Sequence, residues 1–428
     1  MSATPSLTQR ASQAWEQASG AAIRTDTFLK SILTVEFLDS KGAKIILAVV
    51  FLAFLIAFVF IYFTLETPSN ITRRETAAAT AMGQYETAKR LGLAETLSKY
   101  KQLGESEDAL LFTNFWWYTA NMGALFYSDM SPMSSTPRVV VSPKAVRLAL
   151  LGGARCFVLD VWPDLTPGDA QYSPVVQTVE AGSGWKRTSF NAVPLAAILS
   201  VLIKEAYESG RESTKGDPIM LYLRFQGVPR RATFDYTARV LQSTIQPYRL
   251  DAAYNGCRGQ QLIPTQPLAM FAGKVVVVSN VTASNSILGD YINIGPQTGL
   301  QVEYEPTYAK SLTAEMTKTA IARIKQNISV VAPNDASNGW DVAGCAALGL
   351  HCLALNFGQL SLPAGAPTYN AVQNNQGTEI SFNKVSFLLK PVPLRLVPST
   401  IPAPPLPPDF KFNGGNITQP SALATPGY

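Results

Sequence analysis

The chain contains one histidine, His351, and only four cysteines among 428 residues. Cys156, Cys257, Cys345 and Cys352 are too few and too widely spaced for a disulfide framework, and they lack the close pairs of a zinc site. We therefore expect buried, free thiols. Charged residues make up only 15% of the chain, and the net charge of +5 is too small to indicate a nucleic-acid partner.

A long apolar segment lies near the N-terminus. Ile45–Phe63 is a run of 19 residues without charge or proline. As a helix it would be roughly 28 Å long, close to the thickness of a bilayer's hydrocarbon core. It therefore predicts a single transmembrane helix in contact with the lipid bilayer. Lys41 and Lys44 precede the run and Glu66 follows it, which favours a cytoplasmic N-terminus.

Four N-x-Ser/Thr sequons follow the apolar segment, at Asn70, Asn280, Asn327 and Asn416. Such sequons are glycosylated on the lumenal or external side of a membrane. Together with the flanking lysines, they predict a single-pass membrane protein whose large C-terminal part lies on that side.

Composition divides the chain into five parts. These are a polar N-terminal segment (1–44), the transmembrane helix (45–65), a helical stalk (66–112), an α/β domain (113–395) and a Pro-rich tail (396–428). The α/β domain has the length of one closed α/β barrel, which commonly uses about 250 residues.

Two of these parts could bind a protein partner. Leu93, Leu97 and Tyr100 repeat at helical spacing in the stalk, which predicts packing against the α/β domain or another stalk. The prolines of 396–408 favour an extended conformation that could cover the domain, bind a partner or serve only as a tail.

The α/β domain resembles a known enzyme family. The similar stretches are 114–125, 142–162, 174–179, 188–193, 218–224 and 263–279 in the first half, and 335–342, 354–358 and 386–395 in the second. In order and spacing they are similar to the phosphoinositide-specific phospholipase C-like (PLC-like phosphodiesterase) family. The resemblance implies a TIM (β/α)8 barrel, here preceded by one transmembrane helix.

The resemblance also implies catalysis by two histidines, because imidazole has a pKa near neutrality and can act as both acid and base. Ala120 stands at the first histidine's place and Thr178 nearest the second's, and neither can transfer a proton at pH 7. Glu180 is the only nearby ionisable substitute. His351 lies far from both places within a strand pattern, where we expect a structural role.

Members of this family that use Ca²⁺ hold it with an asparagine, an aspartate and two glutamates. Asn121 and Asp160 match the asparagine and the aspartate, whereas Val158 and Arg224 replace the glutamates. We expect Arg224 to form an ion pair with Asp160, and Asn121 to bond backbone groups. The family's Ca²⁺ site is therefore predicted to be lost, with no metal or other cofactor in its place.

Contacts to the lipid head group also differ, since Val330 and Ala332 stand where the resemblance implies an arginine and a tyrosine. The sequence therefore predicts a membrane-anchored pseudoenzyme that acts as a binding or structural module. One alternative is an active phosphodiesterase that uses another constellation, such as Glu180 with Asp160. A second is a scaffold protein in a membrane-containing assembly, such as the particle of a large DNA virus.

Overall fold

A computed structural model describes residues 41–64, 67–81, 91–121, 124–125, 140–166, 168, 171–179, 187, 189–209, 214–227, 230–256, 262–283, 285–296, 302–332, 341–356, 382 and 385–396. The chain divides into two compact units, Met1–Arg74 and Glu75–Tyr428. The described helices are α1 (Lys41–Thr64), α2 (Pro68–Ala81), α3 (Leu93–Gln102), α4 (Pro143–Gly152), α5 (Leu195–Ile203), α6 (Arg231–Ile245), α7 (Ala314–Lys325) and α8 (Val342–Ala347).

The first unit contains α1, a helix of 24 residues. Its large apolar side chains are exposed, with Phe51 at 70%, Phe54 at 72% and Phe58 at 68%. Among the residues that the structure describes in full, no helix is both long and apolar enough to cross a membrane. The side chains of Phe60 and Phe63, near the end of the expected span, lie outside the described residues.

The second unit is a mixed α/β domain. Its strands are β1 (Phe115–Trp117), β2 (Thr119–Asn121), β3 (Ala124–Leu125), β4 (Val140–Val141), β5 (Cys156–Pro163), β6 (Pro174–Val176), β7 (Val193–Pro194), β8 (Ile219–Phe225), β9 (Val275–Ser279), β10 (Glu303–Tyr304), β11 (Val330–Val331), β12 (Cys352–Leu353), β13 (Leu355–Asn356) and β14 (Phe387–Leu389).

A parallel succession of strands forms the centre of the domain. Pairings run from β9 through β8 and β5 to β2 and β13, and from β1 through β12 and β11 to β10. Only Tyr118 separates β1 from β2, and only Ala354 separates β12 from β13. The two ladders are therefore successive parts of one sheet, in which these strands run in the same direction.

This sheet is strongly curled. Tyr222 on β8 donates a hydrogen bond to Glu303 on β10, with 2.5 Å between Oη and Oε2. Five interstrand steps separate these strands along the sheet, which would place them about 24 Å apart if it were flat. Within the described part of the chain, no strand pairing joins β9 to β10, so closure into an eight-stranded barrel remains a prediction.

Side chains alternate between two apolar layers, as the two-residue period of a strand requires. The inner layer lies inside the curl and includes Phe115, Trp117, Cys156, Val158, Met220, Tyr222, Val276, Val278, Val330, Ala332, Cys352 and Ala354. The outer layer packs the neighbouring residues, such as Phe157, Leu159, Leu221 and Leu223, with residues of α4, α5 and α6. Strands buried on both faces explain the nearly continuous apolar runs in the sequence.

Helix α3 covers the base of the sheet, by which we mean the end where the parallel strands begin. Leu93 and Leu97 join the inner layer. The Leu93 amide donates to Asp217 Oδ1 at 2.7 Å, and Arg155 Nε donates to Asp217 Oδ2 at 2.9 Å. Tyr100 accepts from the Leu389 amide at 3.0 Å. These contacts join the predicted stalk segment to the α/β domain.

The last described residues also lie at the base. β14 pairs antiparallel with β1, and Asn114 then holds the backbone of Leu396. Its Nδ2 donates to Leu396 O at 2.9 Å, and its Oδ1 accepts from Leu396 N at 2.6 Å. Leu396, the first residue of the Pro-rich tail, therefore lies at the base, and residues 397–428 lie outside the described set.

Two of the three described sequons lie in the α/β domain. Asn280 Nδ2 donates to Phe225 O at 3.0 Å, and its Oδ1 accepts from Phe225 N at 2.8 Å. Asn327 is only 8% exposed. Neither side-chain amide is free to carry a glycan in the folded domain, so these two sequons give no support to a lumenal location. Asn416 lies outside the described residues.

The thiols are buried. Cys156, Cys345 and Cys352 are free and buried, as the sequence predicts, and Cys257 lies outside the described residues.

Candidate functional site at the mouth of the sheet

The mouth is the end of the sheet where the parallel strands finish. Asp160 near the end of β5 is in register with Arg224 on β8. Arg224 Nε donates to Asp160 Oδ1 at 2.5 Å, and Nη2 donates to Oδ2 at 2.9 Å. The expected ion pair is therefore present, with the planar two-point geometry that favours arginine over lysine.

A second carboxylate, from Glu303, completes the cluster, and it was not among the residues predicted from the sequence. Arg224 Nη1 donates to Glu303 Oε1 at 3.1 Å and to the carbonyl of Ala332 at 3.3 Å. Glu303 also accepts the hydroxyl hydrogen of Tyr222. Two carboxylates thus surround one guanidinium, and with both ionised the cluster carries a charge of −1.

Burial and charge oppose each other at Arg224. Its side chain is only 2% exposed, whereas those of Asp160 and Glu303 are 21% and 30% exposed. Burial alone would lower the pKa of Arg224, but the charges and hydrogen bonds of Asp160 and Glu303 outweigh it and raise that pKa. Burial also raises the pKa of Tyr222 well above its usual value, and Glu303 raises it further. Arg224 is therefore a fixed cation, and Tyr222 is neutral.

Asn121 and Val158 lie deeper beside this cluster. They are register partners on β2 and β5. Val158 is completely buried in the inner layer, whereas Asn121 is 8% exposed. Of the four residues predicted for a residual mouth site, Asp160 and Arg224 are joined by hydrogen bonds, while Val158 supplies apolar packing and no ligand oxygen.

Ala120 lies on the outer side of the sheet. It pairs with Phe157 and Leu355 and is fully buried in the outer layer. Consecutive residues in a strand point to opposite faces, so Ala120 and Asn121 cannot both face the inside of the curl. A side chain at position 120 is directed towards the helices.

Thr178 follows β6 and is half-buried. Its amide donates to Ser189 Oγ at 3.2 Å, and its carbonyl accepts from the Ser189 amide at 3.3 Å. These bonds fix the backbone at this position. Glu180, the base in the alternative enzyme hypothesis, lies outside the described residues.

His351 lies at the base, at the opposite end of the strands from Asp160. Its Nε2 is 2.8 Å from Thr113 O, and its Nδ1 is 2.8 Å from Ser329 Oγ. Because a carbonyl only accepts, Nε2 carries the hydrogen and Nδ1 accepts from Ser329. Burial first, and Lys390 second, hold the pKa of His351 well below its ordinary value. The imidazole is a neutral structural group.

The predicted head-group positions supply no positive charge. Val330 and Ala332 both lie in the inner layer, and Ala332 contributes only its backbone carbonyl to Arg224. Among the described residues, no group of three or more His, Cys, Asp or Glu side chains could hold a metal ion. At the mouth, the guanidinium already lies between the two available carboxylates.

Comparison with known proteins gives structural similarity only. No family model matches the sequence, and no curated protein is similar to it. The crystal structure of S. officinalis PLC21 is 16% identical with a TM-score of 0.48, and L. pealei PLC21 is 14% identical with the same TM-score. Each match covers 69% of this chain but only 39% of the PLC21 chain.

A bacterial structure is also similar. It is the calcium-dependent phosphoinositol-specific phospholipase C of a Pseudomonas species, which is 12% identical with a TM-score of 0.33. The match covers 61% of this chain and 98% of the bacterial one.

Proposed function

We propose that the chain is a membrane-anchored, phospholipase C-like pseudoenzyme whose α/β domain acts as a binding or structural module. The observation that carries this proposal is the position of Arg224 between Asp160 and Glu303. A guanidinium in that position competes directly with any metal ion for the same carboxylate oxygens.

Ca²⁺ needs six to eight oxygen ligands. Asp160 and Glu303 can offer oxygens only if Arg224 moves away, which would leave a buried cation without its partners. Breaking a buried ion pair in this way typically costs about 3–5 kcal/mol. Arg224 therefore opposes metal binding as well as replacing a ligand.

Loss of proton transfer supports the same proposal. Ala120 cannot ionise and packs in the outer layer, while the neutral His351 lies at the base. Phosphodiester cleavage at pH 7 needs an acid and a base at the mouth, each contributing about 10²–10⁴-fold to the rate. The alternative enzyme would have to supply both from Glu180 and other residues.

The proposed membrane anchor is Ile45–Phe63 within α1. Its support is the run of 19 uncharged residues and the exposure of large apolar side chains such as Phe51 and Phe54. Removing apolar surface from water is favourable by about 25 cal/mol per Å². Acyl chains around these side chains would provide that stabilisation, and Lys41 and Lys44 favour a cytoplasmic N-terminus.

A lipid-hydrolysis assay tests the loss of catalysis. We expect the full-length chain in detergent micelles to release no inositol phosphate from phosphatidylinositol or its phosphates above the buffer rate, with or without Ca²⁺. An active phospholipase C in the same micelles is the positive control. Turnover by the unmodified chain that disappears in the Glu180→Gln variant would establish the alternative enzyme instead.

Membrane fractionation tests the anchor. We expect the full-length chain to sediment with membranes and to be released by detergent but not by high salt, because burial of apolar side chains is insensitive to ionic screening. Replacing Phe51, Phe54 and Phe58 with aspartate should abolish sedimentation, since charged residues near the centre of a span are strongly unfavourable. Release of the unmodified chain by salt alone would contradict the proposal.

A further inference from the structure

Exposed apolar side chains are concentrated at the base of the sheet. Among the described residues outside α1, seven large apolar side chains are exposed. Four of them lie in segments that precede β1 or β9 or follow β14, and we call them the base surface: Leu103, Leu262, Met270 and Val392. The parallel strands β1 and β9 begin at the base, and the antiparallel β14 ends there. Exposed apolar side chains grouped in this way mark a surface that another group covers.

An ion pair joins the turn of Val392 to the turn that contains Leu103. Arg395, which follows Val392 in the same turn, donates from Nη1 to Glu105 Oε2 at 2.8 Å. Glu105 lies just after Leu103 in the chain. Arg395 Nε also donates to the carbonyl of Lys390. The exposed side chains of Leu103 and Val392 are therefore carried by neighbouring turns.

The segment before β9 carries the other two residues, Leu262 and Met270. It packs against the segment before β1, where Thr113 Oγ1 donates to Pro264 O at 3.0 Å. The residue after Thr113 is Asn114, which holds the backbone of Leu396. All four residues of the base surface therefore belong to segments that are bonded to one another around the start of β1.

The Pro-rich tail is tethered among these segments. Asn114 bonds both backbone groups of Leu396, at 2.9 Å to its carbonyl and 2.6 Å to its amide. Residues 396–408 contain six prolines and no charged residue. In an extended polyproline conformation, 397–408 would span about 37 Å, more than the roughly 24 Å of five interstrand steps. A tethered segment docks at an effective concentration in the millimolar range, so weak contacts are sufficient.

The chemistry of the tail matches that of the base. Proline-rich segments dock on aromatic and apolar side chains, and they lose little conformational entropy because they are already extended. The base offers two such rings, Tyr100 and Tyr254, which are partly buried and pack against the inner layer. We propose that residues 397–408 fold back onto the base surface of their own domain and cover it. Apolar side chains of the tail, such as Ile401 and Leu406, then leave water together with those of the base surface.

Methionine oxidation tests the docking, because hydrogen peroxide oxidises a thioether that solvent can reach. Met270 and Met316 are 54% and 52% exposed, but Met316 lies in the first turn of α7, away from the base where α7 leads into β11. In the full-length chain in detergent micelles, we expect Met270 to oxidise about fivefold more slowly than Met316, as it would if covered about 80% of the time. Equal rates, measured by peptide mass spectrometry, would overturn the proposal.

Tail variants identify the occupant. The double variant Ile401→Asp with Leu406→Asp places two charges in the apolar run, and it should oxidise Met270 as fast as Met316. Ile417→Asp, later in the tail, is the matched control and should leave Met270 protected. Protection that persists in the double variant would assign the cover to detergent or another part of the chain. Protection that falls on dilution would assign it to a second copy, and either result would overturn the proposal.

Discussion

The base and the mouth of the sheet each hold a buried arginine, but the exposure of its carboxylate partners differs between the two ends. At the base, Arg155 pairs with Asp217, and the side chains are only 2% and 5% exposed. At the mouth, Arg224 is equally buried, but its carboxylate partners are 21% and 30% exposed. The base is thus a closed and neutral ion pair, whereas the mouth leaves acidic oxygens in contact with solvent.

The other hydrogen bonds around the two arginines also differ between the base and the mouth. Arg155 also donates to the carbonyls of Leu150 and Ala154, and Asp217 accepts from the amide of Leu93. The base pair therefore joins three backbone segments. At the mouth, Arg224 is held mainly by Asp160 and Glu303. The base pair is therefore bonded to more of the backbone than the mouth cluster, and we expect it to contribute more to the stability of the fold.

The largest expected effect comes from breaking the base pair. Burial raises the pKa of Asp217 even though Arg155 acts to lower it, which shows how strongly this position is desolvated. Asp217→Asn leaves the buried Arg155 without a counter-charge. We expect a loss of about 3–5 kcal/mol in the free energy of unfolding, measured by denaturant titration of the full-length chain.

A surface carboxylate provides the control for this prediction. Glu107 pairs with Lys101, but the two side chains are 78% and 49% exposed. Glu107→Gln should leave the denaturation midpoint nearly unchanged, because solvent screens such a pair. If Asp217→Asn also left the denaturation midpoint nearly unchanged, the base pair would not be what stabilises the fold.

Several features of this comparison could be predicted from the sequence. The family resemblance placed Asp160 and Arg224 together, because it set both at positions that hold Ca²⁺ in that family. Alternation along β2 could also have shown that Ala120 and Asn121 face opposite sides. Glu303 could not be found in this way, because β10 has only two residues and its contact with Arg224 depends on the curl of the sheet.

The ionisable groups at the base were harder to predict for a different reason. Lys390 follows an apolar strand and would ordinarily be expected at the surface, and nothing local in the sequence shows that it is buried. Its environment is formed by segments that are distant in sequence. His351 was expected to be structural, but its partners Thr113 and Ser329 become its neighbours only where β1, β11 and β12 begin together.

The second prediction changes the charge of the mouth. We expect millimolar Ca²⁺ to leave the melting temperature of the unmodified chain unchanged, because Arg224 lies between the carboxylates. The double variant Val158→Glu with Arg224→Glu places two further carboxylates beside Asp160 and Asn121. Without metal their mutual repulsion should lower the melting temperature.

Calcium should then reverse that loss in the double variant. At a Ca²⁺ concentration a hundred times Kd, the expected stabilisation is about 2.7 kcal/mol, which a thermal melt detects readily. Mg²⁺ at the same concentration is the control, since it binds poorly to large, flexible oxygen cages. If the unmodified chain is already stabilised by Ca²⁺ and Asp160→Asn abolishes the effect, the active-enzyme alternative must be considered again.

The smallest expected effect concerns Lys390, which contrasts with Arg155 because its amine is buried at the base without a hydrogen-bond partner. Burial lowers the pKa of Lys390 well below its ordinary value. The unfolded chain therefore binds a proton that the folded chain does not, and stability rises with pH up to the unfolded pKa of about 10.4. Lys390→Met removes the unsatisfied amine, which should stabilise the chain by about 1–2 kcal/mol near pH 10, and by more at pH 7, where the unfolded lysine is protonated. It should also flatten the rise in unfolding free energy between about pH 7 and 10, which follows from the ordinary lysine pKa.

Lys318→Met, on the exposed side of α7, is the matched control and should leave the rise intact. A steep rise that persists in Lys390→Met would mean that another group at the base binds the proton on unfolding.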